Sequence, residues 1–308
     1  MTMVLAEEGQ EVQPSTSMAD SLPGMTQSQF DRWVELLERR TGMVLPRERR
    51  SFLVTSLALR MRQIGYRDVD AYYEFVTSGL AGNIEWTALV DRLTVHETRF
   101  FRDPRALRLL RETVLPAVVA RPGWDGQLNI WSVGCSTGEE AYTLAMVADR
   151  YFNDTGFVAR FGVTGTDISL QSLSTAKAGT YSRRRATDIP EEYALRYCEP
   201  ADPEHFLVSR KLRRRVCFAQ INVLDVGGLA GRAADVVYCQ NLLIYFDRTR
   251  RQAIVDSLVK HLRPGGVMIL GAGEVLRWTH PHMTRLANQD DVLAFRRSDE
   301  PAERAVAP

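Results

Sequence analysis

The chain has 308 residues, 45% of them apolar and 25% charged, and its 39 basic side chains almost balance its 38 acidic ones. A net charge of +1 argues against a protein that binds nucleic acid through charge, and the apolar fraction is enough for a substantial core in one large domain or two smaller ones. No stretch approaches the roughly 18–20 apolar residues of a membrane-spanning helix. The first two dozen residues contain no basic residue, which argues against a secretory signal.

The cysteines are far apart in sequence and show neither CxxC spacing nor histidine partners; they are Cys135, Cys198, Cys217 and Cys239. This pattern is typical of reduced thiols that pack in a core, and it predicts neither disulfides nor a metal site. Together with the lack of a signal and of a long apolar stretch, this pattern predicts a cytoplasmic protein that is not inserted in a membrane and holds no metal. We also expect a monomer.

Both ends of the chain are predicted to be disordered. Residues 1–24 are rich in Glu, Gln, Ser and Pro and poor in large apolar side chains, so they cannot bury enough surface to offset the entropy of ordering. Residues 299–308 have a similar composition. The folded part is therefore expected over residues 25–298.

Between residues 25 and 95 the spacing of apolar residues predicts a bundle of four helices. On the first helix the residues at i, i+3, i+4 and i+7 are Phe30, Trp33, Val34 and Leu37. Pro46 is predicted to open a second helix, which Gly65 ends. A third is predicted around residues 72–75, ending near Gly79, and a fourth around residues 84–93.

From residue 103 onwards strands alternate with helices in the predicted pattern. Asp103 and Pro104 begin a helix that runs to about residue 120. Short apolar runs predict strands at residues 128–133, 161–166, 216–221, 236–239, 267–270 and 292–295. Helices are predicted from residue 141, over residues 170–178, and from residue 249 to a turn at 263–266. This alternation predicts an α/β fold with a mostly parallel sheet that is covered on both faces.

The first segment that could carry chemistry is residues 131–140, Trp-Ser-Val-Gly-Cys-Ser-Thr-Gly-Glu-Glu, between a strand and its helix. Glycines let the backbone turn tightly, and a helix amino terminus offers free N–H donors. The spacing matches neither a dinucleotide fingerprint nor a P-loop. Because Glu139 and Glu140 would repel phosphate, the loop favours a cationic or zwitterionic ligand. A purely structural turn is the alternative.

Asp167 stands at the end of the second predicted strand. In α/β nucleotide-binding proteins an acid at this place accepts hydrogen bonds from ribose hydroxyls. The alternative is a helix cap, because Asp167 and Ser169 precede a helix and Asp is a preferred cap. Together with the glycine loop, the two interpretations have about equal weight.

Residues 240–247, Gln-Asn-Leu-Leu-Ile-Tyr-Phe-Asp, leave another strand at the edge where such sheets bind ligands. The alternative is that Leu243, Ile244 and Phe246 are core residues. Tyr245 would then be a partly buried aromatic residue without a chemical role.

Residues 96–103, His-Glu-Thr-Arg-Phe-Phe-Arg-Asp, lie at the junction of the helical and the α/β regions. Arg99 and Arg102 are three residues apart beside two aromatics, and a hinge with solvated arginines is an equally weighted alternative. His96 by itself favours a packing or capping role.

Basic residues also cluster at positions 60–62, 183–185 and 211–215. Such runs are usually solvated faces, and without interleaved aromatic residues they do not predict nucleic-acid binding. A docking surface for an acidic protein is the functional alternative.

These segments, in this order, resemble the CheR-type family, the bacterial chemotaxis-receptor methyltransferases. The resemblance covers about residues 26–297. The matching motifs are Thr-x-Phe-Phe-Arg at 98–102, Cys-Ser-Thr-Gly-Glu-Glu at 135–140, Gly-Thr-Asp at 165–167, Gly-x-Tyr at 179–181, Asn-x-x-Ile-Tyr-Phe at 241–246 and Leu-Arg-Pro-Gly-Gly at 262–266.

The resemblance implies a small all-α domain over residues 25–95, followed by a Rossmann-like methyltransferase domain over residues 96–298. The implied cofactor is S-adenosylmethionine, bound at the carboxyl ends of the strands and released as S-adenosylhomocysteine. The implied reaction is transfer of the methyl group to glutamate side chains, giving γ-methyl esters. The implied partner is the cytoplasmic helical bundle of methyl-accepting chemoreceptors.

Site residues are carried over from the resemblance by position. It implies that Thr98 and Arg102 contact cofactor or substrate, and that Tyr245 lies beside the reacting methyl group. Arg102 and Tyr245 are the expected catalytic residues. The expected cofactor-binding residues also include His96 and Gly134. Glu139 and Glu140 are expected at the amino-acid end of the cofactor, and Asp167 at the ribose. Asn222 and Val223 are expected at the adenine, and Gln240 and Asn241 at the methionine moiety.

Arg60 and Arg62 match the basic helix that is proposed to dock on the receptor in this family. Two site positions depart from the common pattern, which often has Asn where His96 stands and Arg where Gln240 stands. Ala141 replaces a common Pro. Since His and Gln can still donate hydrogen bonds, we expect altered affinity and not lost function.

The implied chemistry agrees with the available side chains. A glutamate carboxylate, with a reference pKa of about 4.3, is ionised and nucleophilic at neutral pH, so no general base is required. Arg102 is the residue we expect to hold the nucleophile or the cofactor's carboxylate. Two alternatives remain open: a degenerate module that binds cofactor or receptor without turnover, and a methyltransferase for a small-molecule carboxylate.

Overall fold

The computed structural model describes residues 25–46, 49–94, 96–229, 234–288 and 291–298. Residues 1–24 and 299–308, for which disorder was predicted, lie outside the described residues. No helix in the described part of the chain is long and apolar enough to cross a membrane.

Four helices form the first region: α1 (Gln27–Thr41), α2 (Arg50–Gln63), α3 (Val69–Thr77) and α4 (Gly79–Leu93). Helix α1 starts with a capping box in which the side chains of Thr26 and Gln29 each accept from the other residue's backbone N–H. The predicted start of α2 at Pro46 was four residues too early, because Pro46 instead accepts a turn hydrogen bond from the N–H of Arg49. Fully buried side chains from all four helices form one core.

The helix predicted from Pro104 is not a regular α-helix. It consists of α5 (Pro104–Leu109), a π-helical turn (Leu110–Val114) and α6 (Leu115–Val119). Pro116 has no N–H to donate and its ring would clash with the carbonyl four residues earlier. The wider turn, in which the N–H of Leu115 donates to the carbonyl of Leu110, accommodates that proline.

Strands and helices alternate over the rest of the chain. In chain order they are β1 (Gln127–Val133), α7 (Glu139–Thr155), β2 (Arg160–Asp167), α8 (Leu170–Ala178), β3 (Thr180–Ser182), α9 (Arg183–Ala186), α10 (Glu191–Tyr197), β4 (Cys198–Pro200), β5 (His205–Val208), α11 (Arg210–Arg213), β6 (Val216–Gln220), β7 (Ala234–Cys239), α12 (Arg248–Lys260), β8 (Leu262–Leu270), β9 (Met283–Arg285) and β10 (Leu293–Arg297).

Seven strands form one sheet in the order β6-β2-β1-β7-β8-β10-β9. The first five are parallel, and β10 runs antiparallel to both of its neighbours. The predicted mostly parallel, Rossmann-like sheet is therefore confirmed. Because β1, β2, β6 and β7 are parallel, their carboxyl ends meet at one edge, and one apolar core lies on each face.

Three further features differ from the predicted pattern, and one is the edge strand β9 (Met283–Arg285), for which no strand was predicted. The turn expected at residues 263–266 is the start of β8, where the pairing with β7 shifts register. Strands β3, β5 and β4 form a separate antiparallel sheet in an insertion between α8 and β6, for which no strands were predicted. These strands have only three or four residues, too few to show a period.

A buried carboxylate, that of Asp235, links β7 to β1 at the amino ends of these two parallel strands. Asp235, at the start of β7, is 0% exposed; its oxygens accept from a guanidinium N–H of Arg121 at 2.8 Å and from the backbone N–H of Asn129 at 2.9 Å. We expect Asp235→Ala to lower the free energy of unfolding by about 3 kcal/mol, since both donors lose their partner. A calorimetric melting temperature measures this.

The control for that variant is Glu192→Ala, which removes an exposed ion pair with Arg150. It should leave the melting temperature nearly unchanged, because exposed pairs contribute little. Equal melting temperatures for both variants would contradict the importance of the buried carboxylate.

Candidate functional site

A cleft lies at the carboxyl ends of β1, β2 and β7. Of the expected cofactor-binding and catalytic residues, all except Glu139 line it. Those that it brings together are His96, Thr98, Arg102, Gly134, Glu140, Asp167, Asn222, Val223, Gln240, Asn241 and Tyr245.

The glycine loop after β1 is fixed on the end of β2. The backbone N–H groups of Gly134 and Cys135 both donate to the carbonyl of Thr166, at 2.8 and 2.9 Å. Gly134 has a φ of 74°, and a Cβ there would lie 3.1 Å from the side chain of Leu242. Glycine therefore suits this position for two reasons. It adopts the left-handed backbone without strain, and its lack of a side chain lets Leu242 of the segment after β7 approach closely.

Asp167, at the end of β2, contacts this loop directly. One of its oxygens accepts from the N–H of Ser136 at 2.8 Å and the other from the N–H of Ser169 at 2.9 Å. Burial raises the pKa of the Asp167 carboxyl, while these two amides oppose the shift. The cap of α8 is Ser169, whose hydroxyl accepts from the N–H of Ser172. Each Asp167 oxygen retains capacity to accept another hydrogen bond from the cleft.

The adjacent acids Glu139 and Glu140 have different surroundings. Glu140 faces the cleft and accepts from the hydroxyl of Ser132 at 2.7 Å. Burial raises the pKa of its carboxyl to about 8, and nearby Glu274 acts in the same direction. The Ser132 hydrogen bond and the positive charge of Arg102 oppose this shift.

Glu139 points away from the cleft because successive helical residues lie about 100° apart. Its side chain is 0% exposed, accepts from the hydroxyl of Thr137 at 2.6 Å and forms an ion pair with Arg185 of α9. Tyr181 of β3 adds a hydrogen bond to the carbonyl of Thr137 at 2.7 Å. The structure thus places Glu139 where it ties the glycine loop to the insertion, outside the lining of the cleft.

Gln240 and Asn241 form the wall next to Glu140. The Gln240 side chain accepts from the hydroxyl of Tyr238 at 3.1 Å and donates to a carboxylate oxygen of Asp103 at 3.3 Å. Asn241 has a left-handed backbone with a φ of 58°. Tyr245 is half-buried at the mouth, and burial raises the pKa of its hydroxyl, so it stays protonated at neutral pH.

The linker over residues 96–102 forms the opposite wall. Arg102 donates to the carbonyl of Glu97 at 2.7 Å, and its charge acts on both Glu140 and Tyr245. Its guanidinium has five N–H donors, so most of them remain available to a ligand.

His96 fits the packing interpretation while also lining the cleft. Its Nε2–H donates to the carbonyl of Asp91 at 2.7 Å, and its Nδ1 accepts from the hydroxyl of Ser172 at 2.8 Å. The ring therefore connects the end of α4 to α8, across the boundary between the helical and the α/β regions.

The helical region also contributes residues to the cleft that the sequence analysis missed, namely Thr41, Met43 and Thr94. The amide of Asn222 donates to the carbonyl of Arg40 at 2.9 Å, and the N–H of Val44 donates to the carbonyl of Tyr245 at 2.8 Å. Gly42 lies between them, where a Cβ would be 2.9 Å from Leu224. A glycine after a helix indicates only the helix end, so the sequence held no signal for this contact.

The two arginines expected to dock on a partner differ in their surroundings. Arg60 forms a two-pronged ion pair with Glu85, at 2.7 and 2.6 Å, and Tyr72 donates to the same carboxylate at 2.7 Å. Glu85 is buried. Arg62 is exposed to solvent. Arg60 thus stabilises the helical domain, and Arg62 is the more accessible of the two.

Among the described residues there is no group of three or more His, Cys, Asp or Glu side chains that could hold a metal ion. The cleft is lined by the carboxyl groups of Glu140 and Asp167 and by the guanidinium of Arg102. Such a site can hold an ammonium group, hydroxyl groups and a carboxylate at once.

Comparison with known proteins gives matches along most of the chain. Residues 28–94 match the all-alpha domain of the CheR methyltransferases, and residues 96–293 match their SAM-binding domain. Three similar proteins are a chemotaxis protein methyltransferase of Borreliella burgdorferi, chemotaxis protein methyltransferase 1 of Pseudomonas aeruginosa and chemotaxis protein methyltransferase 2 of Vibrio cholerae.

The Borreliella protein is 25% identical, and the alignment covers 82% of this chain and 90% of that protein. The Pseudomonas protein is 32% identical over 80% of this chain and 90% of its own length. The Vibrio protein is 31% identical, and the alignment covers 89% of this chain and 92% of that protein. Both domain matches and these long alignments agree with the resemblance found in the motifs, and the chain belongs to the CheR methyltransferase family.

Proposed function

We propose that the protein transfers the methyl group of S-adenosylmethionine to glutamate side chains of chemoreceptor signalling domains, forming γ-methyl esters. The names of its relatives support a chemotaxis role. The observation that carries the chemistry is that Glu140, Arg102 and Tyr245 line the same cleft, where the positive charge of Arg102 acts on both Glu140 and Tyr245. Receptor signalling domains are cytoplasmic in the family it resembles, so we infer a cytoplasmic location.

The residues of the cleft fit the cofactor. Asp167 has free acceptor capacity for ribose hydroxyls, and Glu140 can accept from the ammonium of the amino-acid end. The hydroxyl of Ser136 lines the cleft, is buried and has no hydrogen-bond partner among the described residues, so a bound polar group would satisfy it. When bound, the cofactor supplies a methyl group on a positively charged sulfur.

The protein's own part in the reaction is alignment and exclusion of water. A glutamate carboxylate is ionised at neutral pH, so the chain has no proton to remove from it. Arg102 can hold that carboxylate or the one on the cofactor in a fixed orientation. Tyr245, with its raised pKa, can donate a hydrogen bond but does not act as a base. This chemistry requires no metal.

The decisive experiment supplies labelled S-adenosylmethionine and candidate receptor signalling domains. Label that is released as methanol by mild base indicates ester formation on glutamate, whereas stable label indicates methylation on nitrogen. Binding of the cofactor without any transfer would favour a degenerate binding module. Transfer to small carboxylic acids but not to receptors would favour the small-molecule alternative.

Arg102→Ala should lower the rate of methyl transfer by a factor of about 10² or more, because no guanidinium then orients the carboxylate of the substrate or the cofactor. The melting temperature should change little, since within the described part of the chain the side chain of Arg102 makes one hydrogen bond, to the carbonyl of Glu97. Base-labile label measures the rate. The control is Arg105→Ala, an exposed arginine of α5 outside the cleft; near-normal turnover by Arg102→Ala would refute the assignment.

The affinity for S-adenosylmethionine should rise with pH between about 6 and 7.5. With its pKa near 8, Glu140 is largely protonated in the free protein, and the ligand's ammonium favours the ionised form. Binding therefore releases a proton, and the affinity approaches a tenfold gain per pH unit below the pKa. Titration calorimetry measures this slope.

The matched variant for the pH experiment is Glu140→Gln, which cannot ionise. It should bind more weakly at pH 7.5 and show a flat pH dependence. A pH-independent affinity of the wild-type protein would contradict the role given to Glu140.

Arg62→Glu should weaken receptor methylation, raising the receptor KM about three- to tenfold with little change in cofactor affinity. Arg60 is left intact because its replacement would leave the buried Glu85 without its partner. The comparison variant is Arg67→Glu, an exposed arginine beyond the end of α2. An unchanged receptor KM in Arg62→Glu would exclude this arginine from the docking surface.

A further inference from the structure

The cleft wall formed by residues 240–246 is irregular backbone. It leaves β7 through the left-handed Asn241 and continues as a 3-10 turn, Leu243–Tyr245. Within the turn, the N–H of Tyr245 donates to the carbonyl of Leu242 at 3.3 Å. A segment outside any strand or α-helix needs other partners to hold one shape, and this one carries three of the expected site residues, Gln240, Asn241 and Tyr245.

A buried acid supplies the first set of partners. Glu274 follows β8 and is 3% exposed. One of its oxygens accepts from the N–H of Leu243 at 3.1 Å, and the other accepts from the N–H of Gly271 at 2.9 Å. The backbone N–H of Ile244 also stabilises its charge. Glu274 thus holds the amide side of the turn against the end of β8.

A single guanidinium supplies the second set. Arg251 of α12 donates from Nε to the carbonyl of Phe246 at 2.7 Å and from Nη2 to the carbonyl of Ile244 at 3.3 Å. Its Nη1 donates to the backbone carbonyl of Glu274 at 3.3 Å. Arg251 therefore holds the carbonyl side of the turn and connects it to the residue that holds the amide side.

We propose that Glu274 and Arg251 are positioning residues for methyl transfer, which fix the turn so that Asn241 and Tyr245 face the cleft. Neither Glu274 nor Arg251 lines the cleft, so neither is placed to touch a bound ligand, and each holds the backbone of the turn. Glu274 also raises the pKa of the Glu140 carboxyl. This assignment rests on the proposed function. The carboxylate of Glu274 accepts from backbone N–H groups, and the guanidinium of Arg251 donates to backbone carbonyls. Residues that served only to fill space would not need this match of acceptor to donor and donor to acceptor.

The test uses Glu274→Gln and Arg251→Lys in the full-length protein. Gln keeps the shape of Glu but has one acceptor oxygen, so it cannot accept from both Leu243 and Gly271. Lys keeps the charge but cannot span two carbonyls with one planar group. In both variants we expect kcat to fall about tenfold or more, while the KM for S-adenosylmethionine stays within about threefold.

A second measurement does not depend on the acceptor. Amide hydrogen exchange, followed by mass spectrometry on peptides that cover residues 241–246, should be faster in both variants and unchanged in the helical domain. The control is Asp256→Asn on α12, an acid that accepts from the indole N–H of Trp278 at 2.9 Å and lies outside the cleft. It should keep wild-type kcat and wild-type exchange in this segment.

Wild-type kcat together with wild-type exchange in both variants would overturn the proposal. The proposal would also be overturned if the variants had a lower melting temperature and if the fall in kcat and the rise in KM followed the loss of folded protein. Glu274 and Arg251 would then contribute to the stability of the fold alone. If the wild-type protein esterifies no receptor glutamate, the proposed function fails. The exchange of residues 241–246 then still decides whether Glu274 and Arg251 hold the turn.

Discussion

The architecture of the site depends on one constraint, the parallel pairing of β1 with its neighbours β2 and β7. Parallel pairing brings the ends of these strands to one edge of the sheet, where the chain can leave each strand with polar groups. The carbonyl of Thr166 then accepts two successive amides from the glycine loop. As a result, the loop, Asp167 and the segment after β7 meet in one cleft although they are far apart in sequence.

The sequence predicted well those features that depend on local patterns. The alternation of strands and helices was enough for the parallel sheet, and Gly134 and Asp167 each stand at a strand end, where position alone suggests a ligand. The sequence could not show that Glu140 lines the cleft and Glu139 does not. That distinction depends on the rotation of α7 about its axis and on the ion pair of Glu139 with Arg185. Arg185 lies in an insertion whose strands are too short to recognise in the sequence. The contribution of Thr41 likewise depends on a long-range contact.

Charge in the cleft is balanced by surroundings and not by direct pairing. Glu274 raises the pKa of the Glu140 carboxyl and the positive charge of Arg102 lowers it, while each of the three side chains has its own hydrogen-bond partner in the protein. A buried acid with a raised pKa can remain neutral until a cation arrives, which lowers the cost of an empty cleft. The site is thereby suited to a ligand that carries both a positive and a negative group.

The close contact around Gly42 has a consequence for how this architecture can vary. With the helical domain supplying Thr41 and Met43 to the cleft, and Val44 bonded to the backbone of Tyr245, the two domains are not independent modules. Exchanging the helical domain for that of a relative would replace part of the cleft lining along with the exposed surface that carries Arg62. An exchange made to alter that surface would therefore also alter the cleft.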